Sequence, residues 1–286
     1  MRVASRRLLD LMIGFMPVAG MAGIVILAGW TMAGMLGGLA TVAALGMLVS
    51  TGGATPFHHP LRQIAREPRR KRLSAGFRDR LSTLVEKAGF KIDPPLGFVE
   101  GPPNAYVWHP GPPGMIHLVV SESLHDLLTE RQLLAVLAHE LAHVRAGDGR
   151  RMALGQTLGR LSFAAALVAL LGGTVAFLFF GASLAPDWAW WTLALGPTAL
   201  SALHHATSRR AEFRADAEAA RLTGDAAALS QALGRIHFVT SVQTLRHTIE
   251  EYAGIRGRGW WRTHPAMEDR IDRLQRTAAR QASTPG

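Results

Sequence analysis

The sequence predicts a mainly α-helical membrane protein, with four transmembrane helices in two hairpins and an α+β domain that carries a small β-sheet. Three observations lead there. Residues 11–61, 161–186 and 188–208 contain no Asp, Glu, Lys or Arg, and these are membrane-span lengths. Arginines gather at the borders of those runs. Between them lies a stretch that mixes helical hydrophobic periodicity with short β-prone pieces. The 286 residues then divide into a first hairpin (1–61), the first part of the polar domain (62–160), a second hairpin (161–207) and the second part of that domain (208–286).

Composition narrows the class. A chain that is 48% hydrophobic is too apolar for an ordinary soluble enzyme. The net charge of +10 invites a nucleic-acid reading, but the arginines sit beside apolar runs and no nucleic-acid-binding motif accompanies them. The partner implied is the lipid bilayer. With no cysteine, a disulfide framework and a thiolate metal site are both excluded.

In chain order, Arg2, Arg6 and Arg7 precede the first apolar run. At about 1.5 Å per residue, residues 11–49 would extend roughly 58 Å, close to two crossings of a ~30 Å hydrocarbon core. Gly29, Trp30 and Thr31 are the expected turn, with Trp30 at the interface. Arg62, Arg66, Arg69, Arg70, Lys71 and Arg72 follow, and the positive-inside rule puts both ends of the hairpin in the cytoplasm. This cluster is also placed to meet anionic headgroups. His58 and His59 read as interfacial residues, because neighbours on an extended segment point to opposite sides. Leu73, Phe77, Leu81, Leu84 and Ala88 recur at helical spacing and predict an amphipathic helix over 73–90. Short strands are expected at 96–99, 105–108 and 115–120, separated by prolines, so at least one should be an edge. An edge strand can pair with an extended peptide, and Asn104, Ala105 and Tyr106 are the candidates for that contact.

Residues 129–146 predict the next helix, with Leu133, Leu134, Val136, Leu137, Leu141 and Val144 at helical spacing. Thr129 and Gln132 form a capping-box pair, and Gly147 is a stop signal. This helix carries His139, Glu140 and His143, an H-E-x-x-H motif. Residues four apart lie one above the other, so both imidazoles can face one metal ion. Glu140, offset by about 100°, reaches the open side of the ion rather than the ion itself. Two neutral imidazoles with a neighbouring carboxylate suit zinc-assisted hydrolysis. A plain surface or core helix fits less well, since burying these three groups without a metal or partners is costly.

Arg145, Arg150, Arg151 and Arg160 form a second collar, followed by spans at 161–182 and 188–204 with a turn at Pro186 and Asp187. Trp188, Trp190 and Trp191 make an interfacial belt, and Arg209 and Arg210 mark the return. The H-E-x-x-H helix therefore falls on the cytoplasmic face. His204 and His205 read as interfacial. A zinc site of this type needs a third protein ligand. Glu212 and Asp216, four apart on a strong helix pattern, are assigned as that ligand and as an acceptor for a zinc histidine's ring N–H. Taken alone, the same spacing also describes a surface helix with i,i+4 charges, as Glu218 does.

Four blocks stand in order: Asn104-Ala105-Tyr106, HELAHVRAGD at 139–148, SRRAEFRAD at 208–216 and THPAMEDRIDRL at 263–274. Apolar hairpins precede the first block and separate the second from the third. In this arrangement the sequence resembles the HtpX-like membrane zinc metalloproteases, relatives of the CAAX prenyl endopeptidases. The resemblance implies a gluzincin-type peptidase domain with one Zn2+ held by His139, His143 and Glu212. It further implies Glu140 as general base, and His264 and Arg270 as contacts to substrate or transition state. Physically, His264 precedes Pro265 at a helix start, where it can serve an oxyanion or simply the helix. The implied substrates are proteins or peptides, including misfolded membrane proteins, cut on the cytoplasmic side of the inner or plasma membrane in quality control. Tyr106, where Phe is common, and the proline-rich 110–113 leave substrate preference open. Two other classes remain at this point, a signalling peptidase and a non-catalytic zinc-holding scaffold. The turns look too short for a sensor domain, and a structural site has no use for Glu140.

Overall fold

The computed structural model describes residues 2–50, 73–90, 94–108, 117–181, 183–250 and 266–283, with side chains described except at 2–11, 35–36, 47–50, 108, 150 and 242–250. The basic linker at 62–72, the prolines at 110–113, His58, His59 and His264 lie outside the described residues. The elements are α1 (Arg2–Ser50), α2 (Phe77–Lys87), β1 (Leu96–Val99), β2 (Ala105–Trp108), β3 (His117–Ser121), α3 (Glu122–Leu127), α4 (Glu130–Ala146), α5 (Asp148–Phe180), α6 (Asp187–Thr223), α7 (Ala226–Glu250) and α8 (Met267–Ser283). They form two compact units, divided at 147/148 and 210/211.

The first unit holds α1, α5 and the first part of α6. Within α1 the helix breaks at Ala33 and Gly34, where Gly34 has φ 59° and ψ −149°, a conformation that only glycine adopts easily. The chain doubles back there. Gly37 and Thr41 lie against Gly29, and Leu45 packs with Val18 and Met21. The turn therefore comes a few residues after the expected Gly29–Thr31, at the glycine with the required backbone angles. Alongside the first arm runs α5, with Arg151 over Gly14 and Met32 over Gly172. α6 returns, placing Trp190 on Gly173, Ile24 on Gly196, Leu200 on Gly20 and His204 on Gly155. Missing side chains at these crossings let the helices approach closely, as membrane helices do. The outer faces are apolar and open, with Phe177, Phe179, Phe180 and Trp191 among the exposed residues.

Among the described residues two helices, Met12–Gly34 and Arg151–Phe180, are long and apolar enough to cross a membrane. That is fewer than the four expected. The returning arm of α1 contributes the shorter apolar helix Gly37–Gly46. The first part of α6, though free of charge after Asp187, is diluted by its tryptophans, threonines and histidines.

The second unit is built on α4. The sheet has order β1-β3-β2, with β1 parallel and β2 antiparallel to β3. β2 pairs Ala105 with Val120 and Trp108 with His117, so the strand that begins after Asn104 is an edge. Leu133, Leu137 and Leu141 of α4 share one core with Phe77 and Leu84 of α2, Phe98 and Leu118 of the sheet, Ala219 of α6, Leu229 of α7 and Leu274 of α8. The capping box forms as the sequence predicts, Thr129 Oγ1 accepting from Gln132 N and Gln132 Oε1 from Thr129 N. Gly147 closes α4 in the left-handed region at φ 69°. Glu130, in the first turn, accepts hydrogen bonds from the Ser74 amide and hydroxyl and from Arg80, which ties the start of α4 to the α2 segment.

Candidate metal centre

His139 and His143 share the face of α4 turned toward α6, and Glu212 of α6 faces them. His139 Nε2 lies 3.1 Å from His143 Nε2 and 3.5 Å from Glu212 Oε2, and His143 Nε2 lies 3.8 Å from Glu212 Oε1. Donors on a tetrahedral zinc with arms of about 2.0–2.1 Å stand roughly 3.3 Å apart, so this set fits the ion with little adjustment. The three are the one group of possible metal ligands found among the described residues, and His139 and Glu212 are buried.

The surroundings fit as well. His139 Nδ1 lies 3.0 Å from Asp216 Oδ1, which leaves Nε2 for a metal. Burial opposes charge on His139, but Asp216 and Glu212 beside it outweigh burial and raise its pKa above the ordinary value. The site thus draws positive charge. Glu140, next to His139 but on another face of α4, is only partly buried. Its poorly hydrated surroundings push its carboxyl above the usual range, against the pull of the two histidines.

Asp216 is gripped from the other side. Arg270 of α8 donates from Nε to Asp216 Oδ2 at 2.8 Å and from Nη2 to Oδ1 at 2.7 Å. Its Nη1 lies 3.1 Å from Glu212 Oε2. Burial alone would raise the Asp216 pKa, yet Arg270 and His139 hold it below the ordinary range. Arg270 is therefore placed behind the ligand set, in a buried ion-pair cluster. Its inward direction, though not its partner, was readable from the sequence: Met267, Arg270 and Leu274 share one face of an amphipathic helix, and Arg270 and Leu274 are buried on it.

Of the remaining candidates, Ala105 and Tyr106 lie on the edge strand β2, which packs against α4. Asn104 just before it exchanges two hydrogen bonds with Ser121, its amide donating to the hydroxyl and its carbonyl accepting from the amide, both at 2.9 Å. On its other side β2 has no strand partner among the described residues.

Comparison with known proteins gives a consistent result. A model described as Peptidase family M48 matches residues 73–278. A protein named Protease HtpX homolog from Methylibium petroleiphilum is 30% identical over 207 residues, covering 67% of this chain and 72% of that one. One of the same name from Acaryochloris marina is 35% identical over 172 residues, covering 55% of this chain and 57% of the relative, so the match spans little more than half of that protein. A third, from Sulfurovum sp., is 28% identical over 287 residues, 91% of this chain and 98% of that one. The crystal structure of S. mikatae Ste24p shares the fold, with a TM-score of 0.51 and 16% identity over 96% of this chain and 66% of that one.

Proposed function

The chain is an HtpX-like member of peptidase family M48, and from that premise we propose that it is a membrane-embedded zinc endopeptidase. The observation that carries this is the convergence of His139, His143 and Glu212, whose donor atoms all lie within 4.8 Å of one another, with Glu140 next to His139 in the chain. His139, His143 and Glu212 would hold a zinc ion, which would supply Lewis acidity at the scissile carbonyl and lower a water's pKa to about 7. Glu140 would take a proton from the attacking water and pass it to the leaving amine. Asp216 holds the His139 ring in the tautomer that offers Nε2. The peptide lies extended along β2, with Asn104, Ala105 and Tyr106 as its contacts, and His264 donates to the oxyanion of the attacked carbonyl. The α1 and α5–α6 segments cross the bilayer as two hairpins, which puts the hydrolytic unit on the cytoplasmic side. The substrates in this reading are misfolded or membrane-embedded proteins, in quality control, an assignment that rests on family analogy.

Two variants test the reading. Glu140→Gln should keep its zinc and lose casein cleavage by about 10²–10⁴-fold, the usual share of a general base. Glu212→Gln should purify with less zinc than wild type under the same dialysis. Undiminished cleavage by Glu140→Gln in detergent would sink the mechanism, and full zinc content in Glu212→Gln would unseat the third ligand. A non-catalytic scaffold predicts no wild-type cleavage to lose.

A further inference from the structure

Arg270 reaches the ligand set from α8, an element that supplies none of the ligands. It is 6% exposed and donates to both oxygens of Asp216, while its third nitrogen contacts the Glu212 oxygen nearest His139. α8 is itself fastened close by. Leu274 sits in the core, and Gln281 donates to Ala220 O at 3.1 Å and accepts from Ala226 N at 3.0 Å.

Charge makes the arrangement interdependent. Glu140, Glu212 and Asp216 bring three carboxylates into one poorly hydrated region, and uncompensated buried charge is costly. A divalent cation leaves one negative charge over, and one guanidinium leaves two. Both together neutralise the set. Arg270 also offers a planar fork that fixes the Asp216 carboxylate, so the Glu212 and His139 donors are held in place before an ion arrives. Repulsion between guanidinium and ion acts the other way, but the fork spends its two strongest bonds on Asp216, one residue removed from the ion.

We propose that Arg270 is a positioning residue that sets Glu212 and Asp216 for the metal, and that it thereby couples docking of the C-terminal helix α8 to metal retention. The proposal rests on the reading of His139, His143 and Glu212 as zinc ligands. Coupling of this kind is reciprocal: whatever α8 adds to metal affinity, the metal returns to α8 docking.

The test uses the full chain purified in detergent. Zinc affinity is measured by competition with a chromogenic chelator for wild type, Arg270→Met and Arg270→Lys. Backbone hydrogen exchange of α8 is followed in the wild type with and without zinc. Arg270→Met should bind zinc about 10–100-fold more weakly, the usual effect of losing an outer partner of a metal ligand. Arg270→Lys, which restores charge without the fork, should recover part of that loss. At saturating cobalt(II), Arg270→Met should also show an altered visible absorption band, which a merely destabilised fold would not give. Zinc should slow exchange across α8 in the wild type, a result that needs no variant to fold. Equal or tighter zinc binding by Arg270→Met, or α8 exchange indifferent to zinc, overturns the proposal and leaves the ligand assignment standing. A wild type that takes up no zinc overturns both.

Discussion

Asp225 caps α7 by accepting from the Ala228 amide at 3.0 Å, and it also receives the Nε and Nη2 hydrogen bonds of Arg131 on α4. The bonds from Arg131, helped by the Ala228 amide and opposed by burial, hold its carboxyl below the ordinary aspartate range. A group with a lowered folded pKa contributes stability above its unfolded value of about 3.9, and that contribution is lost as pH falls through the folded value. Because the pair is largely exposed, its share is small, about 0.5–1 kcal/mol. Asp225→Asn should therefore unfold at a lower temperature than wild type at pH 7, with the gap closing below about pH 4. A gap that stays constant down to pH 3 would mean the charge contributes nothing. At this scale the sequence was legible wherever chemistry is local. His139, Glu140 and His143 lie within one helix and announce themselves by spacing. Glu212 needed the family resemblance, since its i,i+4 partner describes any surface helix equally well. The Arg270–Asp216 pair joins residues 54 apart, and no spacing rule reaches that far.

Helices show the same division. Both ends of α4 were legible because caps are written in adjacent residues: Thr129 with Gln132 at the start, Gly147 at the end. Gly147 has open space around its Cα, so a side chain there meets no neighbour and pays only for the left-handed backbone. Gly147→Ala should cost about 1 kcal/mol, and Gly147→Asn less, because Asn tolerates that region better. Thermal unfolding of the two variants checks the order, and equal stability of all three proteins would show that the cap adds nothing. The first hairpin turn was misplaced because Trp30 drew it to the interface, whereas the break falls at Gly34, which holds φ 59°. The helix pattern that carries Glu212 and Asp216 continues α6 without a break, since the change from apolar to charged residues carries no glycine or proline after Pro197 to end the helix.

For the whole molecule, the proposed topology has a direct assay, because the chain has no cysteine and any label reports only an introduced one. Asp187→Cys, at the start of α6, should react with a membrane-impermeant maleimide in intact cells. Glu86→Cys, on α2 of the hydrolytic unit, should react only after the membrane is opened. The reverse pattern would place the centre outside the cytoplasm. The number of crossings was the least legible feature, because the returning arm of α1 is apolar but short among the described residues, and the first part of α6 is uncharged without being strongly apolar. The position of α8 in the chain has a consequence for biosynthesis. A ribosome that has translated as far as Glu250 has already made His139, His143 and Glu212, but has yet to make Met267–Ser283. On the proposal above, the ligand set waits for Arg270, and its grip on a metal should tighten only once that helix has emerged.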